Sequence, residues 1–399
     1  MNPLRVAIVT RRFWPLIGST ERMSANLAAG LAGRGWQVTV VTPRWQPGWP
    51  ERITLREVPV VRLPAAPRGR WAAWRYVRGL RQWLTDHAQE FDLVYVTTLK
   101  HEAAAAVGAL RGRVPVVLRP AAAGLRGDCL WQIDTAEGRR IKRLCVKADG
   151  FIASCPAAER ELQAAGYRRD RIECIPLGVT VGPLPSPTVK AALRATLAEV
   201  NRALEMPRGA PLAVCVARRY MRDELQRLVA AWHPIARRWP NVRLWLIGEH
   251  GEREPLIRHI EASNLAGRVV PAGVFDEVDS LLAAADLFVA PTPHADRPLA
   301  VLEAMAAGLP IVAVDSPGTR PLIADAEHGL LVPPEEVAPL SAAIHRMLDE
   351  PKLAARLGAA ARNRADAEFT LAEMVDRHVT CFQSLLHQNQ PSHQDRPRP

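Results

Sequence analysis

Glu303 stands in the segment APTPHADRPLAVLEAMAAGLPIVAVDS, where a strand, a loop, a helix and a second strand follow without a break. Asp296 is placed to cap that helix, and Pro298 falls in its first turn, where a missing N–H costs nothing. The free amides at such a start, backed by the helix dipole, make a ready anion site. Glu303 lies more than a turn further in and faces the same side if Val301, Leu302 and Met305 face the core. A carboxylate there accepts two hydrogen bonds from a ribose diol. The competing reading is a helix glutamate facing water, which spacing alone favours. Metal and thiol chemistry have less to build on. Cys129, Cys145, Cys155, Cys174, Cys215 and Cys381 are scattered without a CxxC or a paired Cys/His spacing. Reduced, mostly buried thiols are expected, and no metal site.

The elements that must position these groups alternate regularly. LRVAIVT is a continuous apolar run suited to a parallel sheet covered on both faces. The loop RRFWPLIGST, the helix ERMSANLAAGLAGRG and the strand WQVTVVTP complete a right-handed βαβ unit. DLVYVTT, an alanine-rich helix from His101, VPVVLRP, GFIASC and RIECIPLG continue the pattern. The proline-rich VTVGPLPSPT breaks it. Six further strands interleave with helices: APLAVCVA, VRLWLIG, RVVPAG, DLFVAPT, PIVAVDS and GLLVPP. The expectation is an α/β chain of two doubly wound, Rossmann-like domains facing across a cleft. The first spans 1–180 and the second 211–370, with a linker and helix at 181–210 between them. A helix at 371–387 packs back towards the first domain, and 388–399 is a disordered tail.

Composition sets the outer bounds. In 399 residues, 48% apolar and 23% charged are globular values, and no apolar run reaches the roughly 20 residues that cross a bilayer. The opening MNPLRVAIVTRRF lacks the cleavage pattern of a signal peptide, so a cytoplasmic location is expected. The net charge of +11 is carried almost wholly by arginine, with lysine only at 100, 142, 147, 190 and 352. No RNA-stacking, zinc-finger or helix-turn-helix signature accompanies it, so the expected anionic partner is not nucleic acid. One segment, RGRWAAWRYVRGLRQWLTDH, puts Ala72, Ala73, Tyr76, Val77, Leu80, Trp83 and Leu84 on one helical arc. Arg70, Arg75, Arg78 and Arg81 fall on the other, with Trp71 and Trp74. It reads as an ordinary surface helix or as a peripheral contact with an anionic membrane at its inner face.

The string PLAVLEAMAAGLPIVAVD resembles the signature region of group 1 (family four) retaining glycosyltransferases, which have the GT-B fold. GSTERMSANLAAGLAGRGWQVTVVTP is similar to that family's opening loop and helix, and CVARRYMRDELQRLVAAW to the segment bearing its phosphate-binding basic pair. LWLIGEHGEREPLIRHI, VVPAGVFDEVDSLLAAADLFVAPT and HGLLVPP follow in the family's order, so the likeness covers roughly residues 4–380. It implies transfer of a sugar from a UDP- or GDP-linked donor, held by the second domain, to a glycan, lipid-linked or small-molecule acceptor beside the first, with retention. Cell-envelope polysaccharide is the expected setting. No cofactor is implied, since the nucleotide sugar is a co-substrate. In the family, arginine, lysine and a helix N-terminus take the place of a bound cation.

Carried onto this chain, the resemblance gives Glu303 the donor ribose, Arg218 the diphosphate, and the amides of Leu299 and Ala300 the phosphate or sugar oxygens. The main chain at Val274 and Phe275 would edge the base, and Gly18 would let the backbone approach the diphosphate. Asp128, in GLRGD beside the acceptor pocket, would bond an acceptor hydroxyl or act as base; the alternative is a turn residue. Four positions depart from the pattern. Ala295 replaces the earlier glutamate, Asp223 the lysine five positions after Arg218, and Ser19 the second glycine of the donor loop. Pro120 and Ala121 stand where a histidine is usual. Arg222 or Arg297 is near enough in sequence to restore the positive charge. Two functions are therefore open: an active transferase, or a catalytically weakened homologue that binds a nucleotide sugar or partner without transfer.

Overall fold

A computed structural model describes residues 3–64, 70–124, 127–216, 222–248, 253–275, 278–292 and 299–388, without the side chains of 70–73 and 253. Arg218, Ala295, Arg297 and the tail from 389 lie outside these ranges. The chain divides into two compact units. One comprises Met1–Gly178 with Leu371–Pro399, and the other Val179–Thr370.

The first unit opens with β1 (Arg5–Val9), α1 (Ser19–Ala32), β2 (Gln37–Pro43), β3 (Arg52–Leu55), β4 (Val58–Leu63) and α2 (Arg70–Asp86). It continues with β5 (Leu93–Val96), α3 (His101–Leu110), β6 (Val116–Leu118), α4 (Asp128–Asp134), α5 (Ala136–Cys145), β7 (Gly150–Ala153), α6 (Pro156–Ala164) and β8 (Ile172–Cys174). The strands lie in the order β3-β4-β2-β1-β5-β6-β7-β8, all parallel except β3. Val6, Ala7, Ile8 and Val9 are fully buried, as a strand covered on both faces must be. The β3–β4 hairpin was not expected. Its turn uses Arg56 (φ 49°) and Glu57 (φ 66°) in the left-handed region, where Asn-Gly or Asp-Gly is the usual signal.

The second unit holds α7 (Pro187–Val200), β9 (Leu212–Val216), α8 (Arg222–Arg238), β10 (Arg243–Ile247), α9 (Arg253–Ala262), β11 (Val269–Gly273) and α10 (Asp279–Ala284). Then follow β12 (Leu287–Ala290), α11 (Leu299–Ala306), β13 (Ile311–Val314), β14 (Leu330–Val332), α12 (Val337–Asp349) and α13 (Pro351–Glu368). Its six strands are all parallel, in the order β11-β10-β9-β12-β13-β14. Both units are thus doubly wound α/β sheets. The segment around α7 is built into the second unit: Asp286 takes Lys190 Nζ at 2.9 Å, Arg194 Nη2 at 2.6 Å and the Leu212 amide at 2.9 Å. Burial would push the Asp286 carboxyl up, but the charges of Lys190 and Arg194 and these hydrogen bonds outweigh it and hold it below the usual range.

α14 (Leu371–Gln388) belongs to the first unit. Phe382 packs 6.0 Å from Trp36 and 5.5 Å from Tyr95, and Arg34 at the end of α1 pairs with Asp376.

Candidate functional site

In the second unit the chain runs from β9 outward to β10 and β11, then returns to β12 on the other flank of β9. Leu287 and Phe288 stand opposite Ala213 and Val214, so the two strands end side by side. Such a reversal opens a crevice at the carboxyl ends of the strands, where ligands of doubly wound sheets sit. Arg218 follows β9 by two residues, and Arg297 precedes α11 by two. Both lie outside the described residues, so what the structure gives is the pair of adjacent strand ends they depart from.

α11 starts directly after the β12 loop with Leu299, which is buried, and Ala300, which is half-buried. Glu303 is 9% exposed on a helix otherwise lined by Leu299, Val301, Leu302, Ala304 and Met305, all buried. It is not a water-facing glutamate. Val274, half exposed, and Phe275, partly buried, follow β11, two strands from β9 and so about 10 Å across the sheet edge. Asp223 is exposed in the first turn of α8. An acid there interacts favourably with the helix dipole, which gives the charge reversal a local structural reason.

The first unit has its own reversal, between β1 and β5. Two consecutive arginines leave β1, and each meets a buried glutamate in the first turn of a helix. Arg12 Nε lies 2.5 Å from Glu21 Oε1 on α1, and Arg11 Nη1 lies 2.9 Å from Glu102 Oε1 on α3. Glu102 is fully buried, and its Oε2 has no hydrogen-bond partner among the described residues. Gly18 precedes α1 with extended backbone, and Ser19 is the helix's first residue.

Asp128 is 1% exposed at the start of α4. Its Oδ2 accepts from the Thr98 hydroxyl at 3.1 Å and from the amides of Leu99 and Ala121 at 2.9 Å each. Lys100 Nζ stands 3.6 Å from Oδ1. One carboxylate therefore ties together the loops that leave β5 and β6. Nearby, Glu161 Oε1 accepts from the Gly124 amide at 2.6 Å; burial pushes its carboxyl up, against that hydrogen bond.

Sequence reasoning passed over Arg11, Arg12, Glu21, Glu102 and Lys100. The available signal was charge placed immediately after β1 and β5, the two strands that flank the reversal. Among the described residues no three His, Cys, Asp or Glu side chains converge as a metal site would require.

Two doubly wound units, each with a reversal of strand order, define a two-domain α/β protein. Residues 210–350 match the family described as Glycosyl transferases group 1, and residues 18–178 match the Glycosyl transferase 4-like domain. The chain belongs to the group 1 glycosyltransferases. It is 30% identical to the lipopolysaccharide core biosynthesis glycosyltransferase LpsE of Rhizobium meliloti over 46% of this chain and 54% of that one, so it spans about half of that relative's length. It is 27% identical to the D-inositol 3-phosphate glycosyltransferase of Nocardiopsis dassonvillei over 95% of both chains. The crystal structure of Anabaena HepE in complex with UDP and glucose superposes with a TM-score of 0.75 at 20% identity, covering 96% of this chain and 100% of that one.

Proposed function

We propose that this chain is a retaining glycosyltransferase that moves a sugar from a UDP- or GDP-linked donor to a glycan, lipid-linked or small-molecule acceptor of the cell envelope. The observation that carries the reading is the buried carboxylate of Glu303 on the apolar helix that follows β12 at the strand reversal. Set at that reversal on an otherwise apolar helix, the carboxylate is an acceptor to which the hydroxyls of a ribose diol can donate. The names of relatives point the same way: LpsE is a lipopolysaccharide core enzyme, and HepE was crystallised with UDP and glucose.

In this reading Arg218, Arg297 and the amides of Leu299 and Ala300 meet the diphosphate, and Val274 and Phe275 edge the base. As the donor's glycosidic bond breaks, negative charge grows on the leaving diphosphate. Fixed positive groups aimed there stabilise the transition state more than the ground state. Gly18 and Ser19 are donor-binding, Gly18 by letting the backbone approach the diphosphate, and Asp128 positions the acceptor-side loops in place of a base. The protein works in the cytoplasm, peripheral at the inner face of an anionic membrane. No helix among the described residues is long and apolar enough to cross one.

The test is thermal shift with UDP, GDP and ADP, followed by nucleoside diphosphate release from the matching sugars. One base should stabilise the protein, and Glu303→Ala should lower affinity by roughly 10- to 100-fold, as expected for hydrogen bonds to a charged group. Stabilisation without turnover would instead support the weakened homologue, to which Asp223 and Ala295 point. No response to any nucleotide overturns both.

A further inference from the structure

α2, α3 and α5 form a single helical layer on one face of the first sheet. Leu80 and Leu84, Val107 and Leu110, and Ile141 and Cys145 point into one shared core. α3 lies between the other two and packs against both. It is thin: Ala104 and Gly108, one turn apart, make its outer surface, and a Cβ placed on Gly108 would come 3.9 Å from the Arg81 guanidinium of α2. The layer is therefore a shallow trough between two ridges. At 8–10 Å per packed helix pair the ridges stand about 20 Å apart.

Both ridges are basic and both carry apolar side chains in the open. α2 exposes Arg75, Arg78 and Arg81 with Trp74, whose ring lies 5.5 Å from the Arg78 guanidinium. Trp74 is 54% exposed. α5 exposes Arg139, Arg140 and Arg143 with Leu144, and Val146 and Lys147 follow it into solvent. The acids of these helices are engaged locally: Asp86 by Gln82, Glu137 by His101 and the buried Glu102 by Arg11. The other face of the sheet differs. There α14 carries Glu373 and Asp376 beside Arg377 and the Arg34 that pairs with Asp376, so acids and bases are mixed, whereas the exposed charges along α2 and α5 are mostly arginine.

We propose that the α2–α3–α5 layer is a docking face by which the chain lies on an anionic bilayer. Trp74 and Leu144 enter the headgroup region, and the arginines of both ridges meet lipid phosphates. Charge alone would also suit a polynucleotide, but Leu144 and Val146 offer no face for base stacking, whereas a bilayer interface uses apolar and basic groups together. This deepens the membrane contact of the functional reading, extending it from one helix to a surface, and it requires neither donor nor turnover.

Flotation of the full chain with phosphatidylcholine vesicles, with and without about one third phosphatidylglycerol, tests it. Recovery should require the anionic lipid and fall with salt. Arg78→Gln and Arg143→Gln should each lower the partition coefficient about fivefold, one on each ridge, and Trp74→Ala should lower it severalfold. The same variants should keep the wild-type thermal shift with UDP or GDP, which separates failure here from failure of the donor site. Three results overturn the proposal: equal recovery on neutral vesicles or none at low salt; loss through Arg78 but not Arg143; or recovery insensitive to Trp74→Ala and abolished by competing RNA, which would mark a polyanion site.

Discussion

The carboxylate of Glu21 that Arg12 holds at 2.5 Å also fills the space a side chain at residue 18 would need. A Cβ built on Gly18 would fall well inside contact distance of Glu21 Oε2. The backbone there is extended, so any residue suits the dihedral angle. The glycine leaves room for the glutamate as Arg12 holds it, and the turn itself does not call for one.

Gly18→Ala should therefore push Glu21 off Arg12 and leave a buried carboxylate without its partner, at a cost of about 1–3 kcal/mol. In a Glu21→Ala background the same change should cost less than about 0.5 kcal/mol, because the clash and the ion pair are both gone. Urea unfolding of the four proteins measures the coupling. Equal costs in both backgrounds would mean that the glycine serves something other than Glu21.

That relationship also marks how far the sequence could be read. Runs such as LRVAIVT and DLFVAPT announce buried parallel strands because both faces are covered, and all six strands of the second unit form where those runs stand. Burial of Glu303 was not legible, because i, i+3, i+4 spacing identifies a core-facing stripe but not a helix enclosed on all sides. The hairpin at Arg56 and Glu57 escaped because two charged residues hold a turn that usually announces itself with glycine. The Arg11–Glu102 pair joins residues 91 apart in sequence, which no local spacing rule can connect.

Asp128 separates positioning from proton transfer. Asp128→Asn keeps a side-chain oxygen for the Leu99 and Ala121 amides and loses only the pairing with Lys100. It should cost about 1 kcal/mol and leave turnover within about tenfold of wild type. Asp128→Ala strands several buried donors and should cost on the order of 3 kcal/mol. A stable Asn variant with turnover reduced by more than about a thousandfold would restore the base role.

Asp223→Lys makes opposite demands on fold and ligand. Removing an acid from the first turn of α8 should cost about 0.3–1 kcal/mol of stability. If the diphosphate lies beside the end of β9, the new cation should tighten UDP or GDP binding on the order of tenfold, less at high salt. Calorimetric titration reads both base and salt dependence. Unchanged affinity would place the diphosphate elsewhere.

His378 gives the first unit a built-in acid sensitivity. Its Nδ1 lies 2.8 Å from the Met374 carbonyl, which can only accept, so Nδ1 carries the proton. Nε2 is buried among Tyr95 and Phe382 with no partner among the described residues. Burial, opposed by the Met374 carbonyl and aided by the charges of Arg119 and Arg377, lowers the imidazole from 6.5 to about 4. The unfolded chain therefore takes up a proton that the folded one refuses. Stability is full above pH 6.5, declines as pH falls through the window down to about 4, and levels off below it. The whole window is worth on the order of 3 kcal/mol. His378→Phe fills the aromatic cluster without a titrating group, so its unfolding free energy should lose that part of the slope. Parallel curves for wild type and variant across this range would show that the histidine takes up its proton as readily in the fold as in the unfolded chain.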